Sequence, residues 1–350
     1  MLFLGCIIFI KMNIMTENDL QQIKRVLFGS YLGFILPKIF DWDYGTYFSL
    51  YPILIMGLSP VINAHIIRQF LFSGVFSVAV AYFITVNSSV SIVTTITLSF
   101  SINVFCFWIM STNTAFLAGA QSLISIHTLT HLGSYQSTNL SDVYTSVILA
   151  TFITAAIVAI SFYFFPDRHE RTIIQKSVQS NIDNIKKTML GSVVSSVSLM
   201  FFMLFDEKDS IAAQVSSLLV LFPINWNLIF HSSIKRIYGT IIGSSTALII
   251  QVIVSVFNEN IFIISFLYCF CIMLYTSAHI KENAGPAKWF VALTTLSVIV
   301  GMKTMNSDIS YSSLYRLTSV PIAIVVTIMI TYIIHLVINQ LYYFFLRMNR

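Results

Sequence analysis

The chain is a succession of apolar runs of about 20 residues separated by short polar breaks, and about 20 is the length a helix needs to cross roughly 30 Å of hydrocarbon. Helices that are apolar on every side have few places to go other than lipid. A β-barrel also satisfies its backbone there, but its strands alternate apolar and polar residues over about 10 positions. These runs do not alternate, so the fold class is all-α integral membrane protein. Composition agrees: 57% of the 350 residues are hydrophobic and 9% charged, against roughly 25% charged in a soluble domain.

The runs fall near 26–40, 45–63, 66–86, 90–111, 114–132 and 143–166, then 188–205, 211–230, 236–257, 260–279, 285–305 and 314–345. This predicts about 12 transmembrane helices, six plus six. Charge placement tests the count independently, because cytoplasmic loops collect Lys and Arg. With both termini inside, fifteen basic residues fall on the cytoplasmic side and four (Lys38, Lys208, Lys303, Arg316) fall elsewhere. The net charge of +5 is therefore largely a topology signal, with no pointer to nucleic acid.

The organisation that follows is a cytoplasmic segment (1–22), a first six-helix repeat (23–166), a cytoplasmic linker (167–187), a second six-helix repeat (188–345) and a cytoplasmic tail (346–350). The linker is too short for a domain of its own. Met1–Ile10 is too short to span and has no basic residue ahead of its apolar run. Translation is expected to start at Met12 or Met15 instead, and an intact native mass beginning at Met1 would refute this.

The halves resemble each other at a constant displacement of 162 positions: Ile23-Lys24-Arg25 recurs as Ile185-Lys186-Lys187, Gly29-Ser30 as Gly191-Ser192, and Ile62-Asn63 as Ile224-Asn225. With an even number of helices in each half, this suggests parallel repeats related by an axis along the membrane normal. Cys106, Cys269 and Cys271 lie in apolar runs and Cys6 in the first stretch, without metal-ligand spacing or a disulfide framework.

The most distinctive string is Lys235-Arg236-Ile237-Tyr238-Gly239-Thr240-Ile241-Ile242-Gly243, shortly after Pro223-Ile224-Asn225. Gly239 with Gly243, and Gly29 with Gly33, form Gly-xxx-Gly faces on which helix backbones approach closely. Arg236 precedes the second face by one turn. Its guanidinium suits bidentate capture of a carboxylate, and the alternative is a topogenic arginine touching lipid phosphates. Arg-x-x-Gly-Thr-x-x-Gly opening a membrane helix resembles the fusaric acid resistance and aromatic acid exporter group of inner-membrane proteins. In the first half Arg68, the corresponding substrate-binding candidate, is followed by Gly74 without Gly-Thr, and the large cytoplasmic domain of many relatives is missing between the halves, as in the compact branch of the group. The resemblance implies efflux of small, often aromatic, carboxylic acids alongside a periplasmic adaptor subunit.

Lys288, in Asn283-Ala284-Gly285-Pro286-Ala287-Lys288-Trp289, sits near a helix start whose free N–H groups suit an anion. Snorkelling of Lys288 with Trp289 as interface anchor is the competing reading. Asn63 and Asn225, at equivalent positions, either bond substrate or cap helices; capping is preferred. Thr94, Thr97 and Ser101 line one side of a helix, as do Ser192, Ser195 and Ser196, and both sets are read as packing rather than a wet pathway. All fourteen Asp and Glu lie in loops or at helix ends, so a proton path would fall to His127, His131, His279 or His335, or to Asp142. A hydrogen-bonded structural role is the simpler reading of each histidine.

No phosphate-cradling loop, zinc spacing or Ser/His/Asp set is present, so neither an enzyme nor a cofactor is expected. The sequence reads as a secondary efflux transporter of two parallel six-helix repeats, moving a small organic anion across a bacterial inner membrane. Its partners are that anion, the lipid bilayer and, by resemblance, the adaptor; a homo-oligomer is left open. A passive anion channel and a non-transporting membrane scaffold or sensor are the alternatives.

Overall fold

Backbone groups inside a bilayer find no water and must bond within their own segment, and the chain answers with helices. The computed structural model describes residues 15–88, 92–112, 115–135, 138–171, 181–204, 210–223, 226–256, 260–282, 288–302 and 307–348. Twelve helices lie among the described residues, with no strand: α1 (Glu17–Ile39), α2 (Gly45–Leu58), α3 (Ala64–Ser88), α4 (Ile92–Ser111), α5 (Phe116–Gly133), α6 (Leu140–Phe164), α7 (Asn181–Leu204), α8 (Ile211–Leu221), α9 (Trp226–Val256), α10 (Ile261–Lys281), α11 (Lys288–Val300) and α12 (Ser307–Met348). The first is started by a capping box, in which Thr16 Oγ1 accepts from Asp19 N at 3.2 Å and Asp19 Oδ2 accepts from Thr16 N at 3.0 Å. Such a cap is worth about 1 kcal/mol.

Seven helices (α3, α4, α6, α7, α9, α10 and α12) hold a stretch long and apolar enough to cross a membrane. The other five do not meet that standard. α2, α8 and α11 have 14, 11 and 13 residues, well short of a full crossing. α1 and α5 are long enough but more polar. Helix number thus follows the apolar runs, while crossing by length and apolarity holds for seven.

Helix boundaries depart from the apolar runs at several places; α1, for one, already begins at Glu17. The run 211–230 is not one helix: α8 stops at Leu221 and α9 already starts at Trp226, with Pro223 between them. Proline withdraws an N–H and clashes with the preceding turn, so the helix ends before it. The end of the stretch 167–187 is helical, since α7 begins at Asn181 and carries Lys186 and Lys187.

Neighbouring helices mostly run in opposite directions. Gly29 lies against Met56 and Gly33 against Phe48, Gly74 against Thr151, and Asn103 bonds Ser196 while Ser111 bonds Thr188. These contacts set α1 against α2, α3 against α6, and α4 against α7. Adjacency also repeats with a step of six. α3 lies beside α5 and α6 as α9 lies beside α11 and α12, and α2 lies beside α6 as α8 lies beside α12. Between the two sets, α1 meets α10 as α7 meets α4, and α2 meets α11 as α8 meets α5. The three shortest helices therefore take part in the contacts between sets, while Phe72, Trp108, Phe152, Val252, Phe262 and Ile333 point outward. An apolar exterior of this kind is what lipid requires.

Candidate functional site

Arg236 lies ten residues inside α9, not at its opening, because that helix begins at Trp226. Its side chain is only 6% exposed, and among the described residues it has no ion pair and no hydrogen bond. One turn on, α9 packs closely against α11. A Cβ on Gly239 would sit 2.6 Å from Val291 Cβ and collide with the Lys288 carbonyl, and one on Gly243 would sit 2.7 Å from Ala292 O and 2.8 Å from Thr295 Cβ. Thr240 is buried between them. The glycines thus bring the start of α11 beside the arginine-bearing turn of α9. Gly29 and Gly33 do the same for α1 and α2, where a Cβ on Gly33 would meet Phe48 backbone.

Lys288 is the first residue of α11, half-buried, with its Nζ 4.5 Å from the ring centroid of Trp289. The amide of Trp289 already donates to Glu282 Oε2 at 3.3 Å, so the chain supplies a carboxylate of its own to this helix start. At the matching start of α5, Gln69 Oε1 accepts from Ala118 N at 3.2 Å. Asn63 is exposed and caps α3, its Oδ1 accepting from Ile66 N at 2.9 Å. Arg68 is exposed, with Nε donating to Ala64 O at 3.3 Å. Asn225 lies outside the described residues. Of the nominated binding residues, then, Arg236 and Lys288 share one helix pair, while Asn63 and Arg68 sit at the α3 start.

The histidines are dispersed. His127 and His131 are fully buried on α5: His127 Nε2 lies 2.9 Å from Asn103 Oδ1, and His131 Nε2 lies 3.1 Å from the Tyr135 hydroxyl and 3.3 Å from Ser210 Oγ. His279, on α10, has Nε2 3.1 Å from Gly57 O and its ring against Phe290. His335 pairs with Asn339 on its own helix at 3.0 Å. Asp142 is exposed in the first turn of α6, accepting from Asn139 Nδ2 at 2.7 Å. Thr97 and Ser101 bond back to their own helix carbonyls at 2.9 Å, as serines and threonines do where no outside partner competes.

Three polar residues had no signal in the sequence. Arg25, which the sequence offers only as a basic residue of the topology bias and the internal repeat, is 1% exposed and tied to Asp167 at 2.7 Å. Asn103 is buried between His127 and Ser196, and Gln214 is wholly buried on α8. Each looks ordinary in its own run, since the groups packed around it come from elsewhere in the chain.

Residues 195–330 match a family model described as fusaric acid resistance protein-like, and residues 22–161 match one described as a protein of unknown function, DUF2955. No curated protein and no solved structure matches the chain. The string from Arg236 to Gly243 falls within the first of these matches, on the helix pair just described. Each match covers less than half of the chain and one falls in each set of helices, so the chain is similar to the fusaric acid resistance type over its second set.

Proposed function

We propose that this chain is a secondary transporter that exports small organic, chiefly aromatic carboxylic, acids across a bacterial inner membrane. The family match supports a membrane transport role in resistance or efflux. The observation that carries the substrate class is Arg236: a buried guanidinium with no acidic partner among the described residues. Holding an unpaired charge away from water is costly unless a counter-ion arrives, and a carboxylate matches the planar fork of arginine bidentately. Lys288 lies on the helix that packs against the same turn. A periplasmic adaptor belongs to this reading, and co-purification from cross-linked envelopes tests it.

The deciding experiment uses the full chain in proteoliposomes loaded with labelled benzoate. Export against a concentration gradient when a pH gradient is imposed supports coupled transport, and wild-type vesicles that move no benzoate overturn the reading. A second reading, a passive anion channel, is favoured by the buried side chains, which among the described residues include no Asp or Glu. Flux that only ever follows the electrochemical gradient would select it.

A further inference from the structure

α5 and α8 lie antiparallel along the contact between the two helix sets, pinned at both ends. Phe116 and Phe222 rings stand 6.4 Å apart at one end, and His131 Nε2 and Ser210 Oγ 3.3 Å apart at the other. One turn in from the latter pair brings His127 on α5 level with Gln214 on α8. A further turn brings Leu123 level with Leu218, and these two belong to an apolar cluster with Phe107 of α4 and Val194 of α7. One turn along from Phe107 is Asn103, which joins His127 to Ser196 of α7. Four helices thus contribute one polar side chain each to a single layer above an apolar plug.

The hydrogen-bond directions in this layer are determined. Ser196 Oγ donates to Ser192 O at 2.8 Å, so it must accept from Asn103 Nδ2 at 2.9 Å. Asn103 Oδ1 then faces His127 Nε2, which carries the ring hydrogen and leaves Nδ1 as a bare acceptor. That Nδ1 and both amide atoms of Gln214 are buried without a partner, on side chains with no exposure. Buried polar atoms are generally bonded, so three at one level call for a partner, either buried water or a polar ligand group. α4, α5 and α8 contain no Lys, Arg, Asp or Glu, and those of α7 lie in its first turns. A carboxylate here would be an unpaired charge; a neutral group that both donates and accepts fits. The corresponding layer between α1, α2, α10 and α11 is closed, with Tyr268 bonded to Ser297 and Ser297 O to Ser49, both at 2.9 Å.

We propose that His127 and Gln214, supported by Asn103 and Ser196, form a site for the protonated carboxyl group of the transported acid, whose O–H donates to His127 Nδ1 while its carbonyl accepts from Gln214 Nε2. The identity of this ligand rests on the transport reading above. The site is distinct from Arg236: His127 lies about three turns beyond the start of α5, whereas Arg236 lies a turn short of the start of α11.

The test uses the full chain, benzoate as substrate and benzamide as a neutral probe with an N–H donor and a carbonyl acceptor. Benzamide is expected to compete with benzoate in wild-type proteoliposomes and to raise the melting temperature of the solubilised protein. Gln214→Leu should raise KM for benzoate about tenfold, the loss of one buried hydrogen bond to a ligand, and abolish both benzamide effects. His127→Gln, which keeps an acceptor, should retain more than His127→Leu. Should Gln214→Leu not insert, Gln214→Asn, which withdraws the amide by one methylene, takes its place. If wild type moves benzoate and Gln214→Leu matches it in KM and benzamide sensitivity, the layer holds water only and the proposal falls. If wild type moves no benzoate yet benzamide stabilises it through Gln214, the site stands and acid transport falls; if benzamide also has no effect, both fall.

Discussion

Arg25 donates from Nη2 to Asp167 Oδ1 at 2.7 Å, joining the third turn of α1 to the chain leaving α6 across 142 positions. The guanidinium lies 4.0 Å from the Phe162 ring centroid, and Arg171 reaches the same carboxylate oxygen at 3.4 Å. Asn18 completes the clamp: its Oδ1 accepts from the amides of Arg168 and His169, and its Nδ2 donates to His169 O. The first helix is held to the segment that follows α6 at this point, ahead of the stretch that leads to α7.

Removing one member of a buried pair strands the other, and Asp167 keeps only part of its solvent contact. Asp167→Ala is therefore expected to cost about 2 kcal/mol and to lower the melting temperature of the solubilised protein by several degrees. The Arg25→Ala, Asp167→Ala double variant should lose less than the two single losses added together, because the partners share one interaction. Additive losses would show the pair to be uncoupled.

Arg236→Gln keeps hydrogen-bonding capacity but deletes the charge. It should insert and fold normally while benzoate export falls at least about tenfold, the loss of a charge-assisted bond. Arg236→Lys should recover only part of it, because an ammonium cannot present a planar fork. Export unchanged in the Gln variant would remove Arg236 from the site.

Gly239 and Gly243 meet backbone oxygens of α11, not flexible side-chain ends. Gly243→Leu should force the two helices apart, with a cost of about 1–3 kcal/mol or more, read as loss of folded protein by fluorescence-detected size exclusion. Gly74→Ala meets only the Thr151 side chain, yet at close range, and should cost less. The reverse order would mean that α9 and α11 do not pack through this face.

A topology set by the basic residues would place the Arg25–Asp167 end of the bundle in the cytoplasm. Single cysteines replacing Lys24 or His169 in a cysteine-free chain should react with an impermeant maleimide only after the membrane is opened, and one replacing Asn139 should react in intact spheroplasts. The opposite pattern would invert the topology and move Arg236 to the outer end.

Much of this was legible from residues alone. Apolar runs marked where helices form, and the Gly-xxx-Gly faces at Gly239 and Gly29 could be read from spacing, since small residues at that interval have one common use. The position of Arg236 was not legible. The run from 211 hid a break after Leu221, so the arginine looked like the opening of a helix when it lies three turns inside one. Gln214 gives no sign in the sequence, because a lone glutamine in an apolar run carries no local pattern.

The order and apolarity of the residues determined that this chain is helical and presents apolar surface suited to lipid, because each of those outcomes depends on a side chain and the solvent around it. Tertiary structure alone decided which polar groups meet. His127, Asn103, Ser196 and Gln214 come from four helices, and only their packing makes one level of them; hydrogen bonds reach about 3 Å, a distance that separation along the chain does not encode.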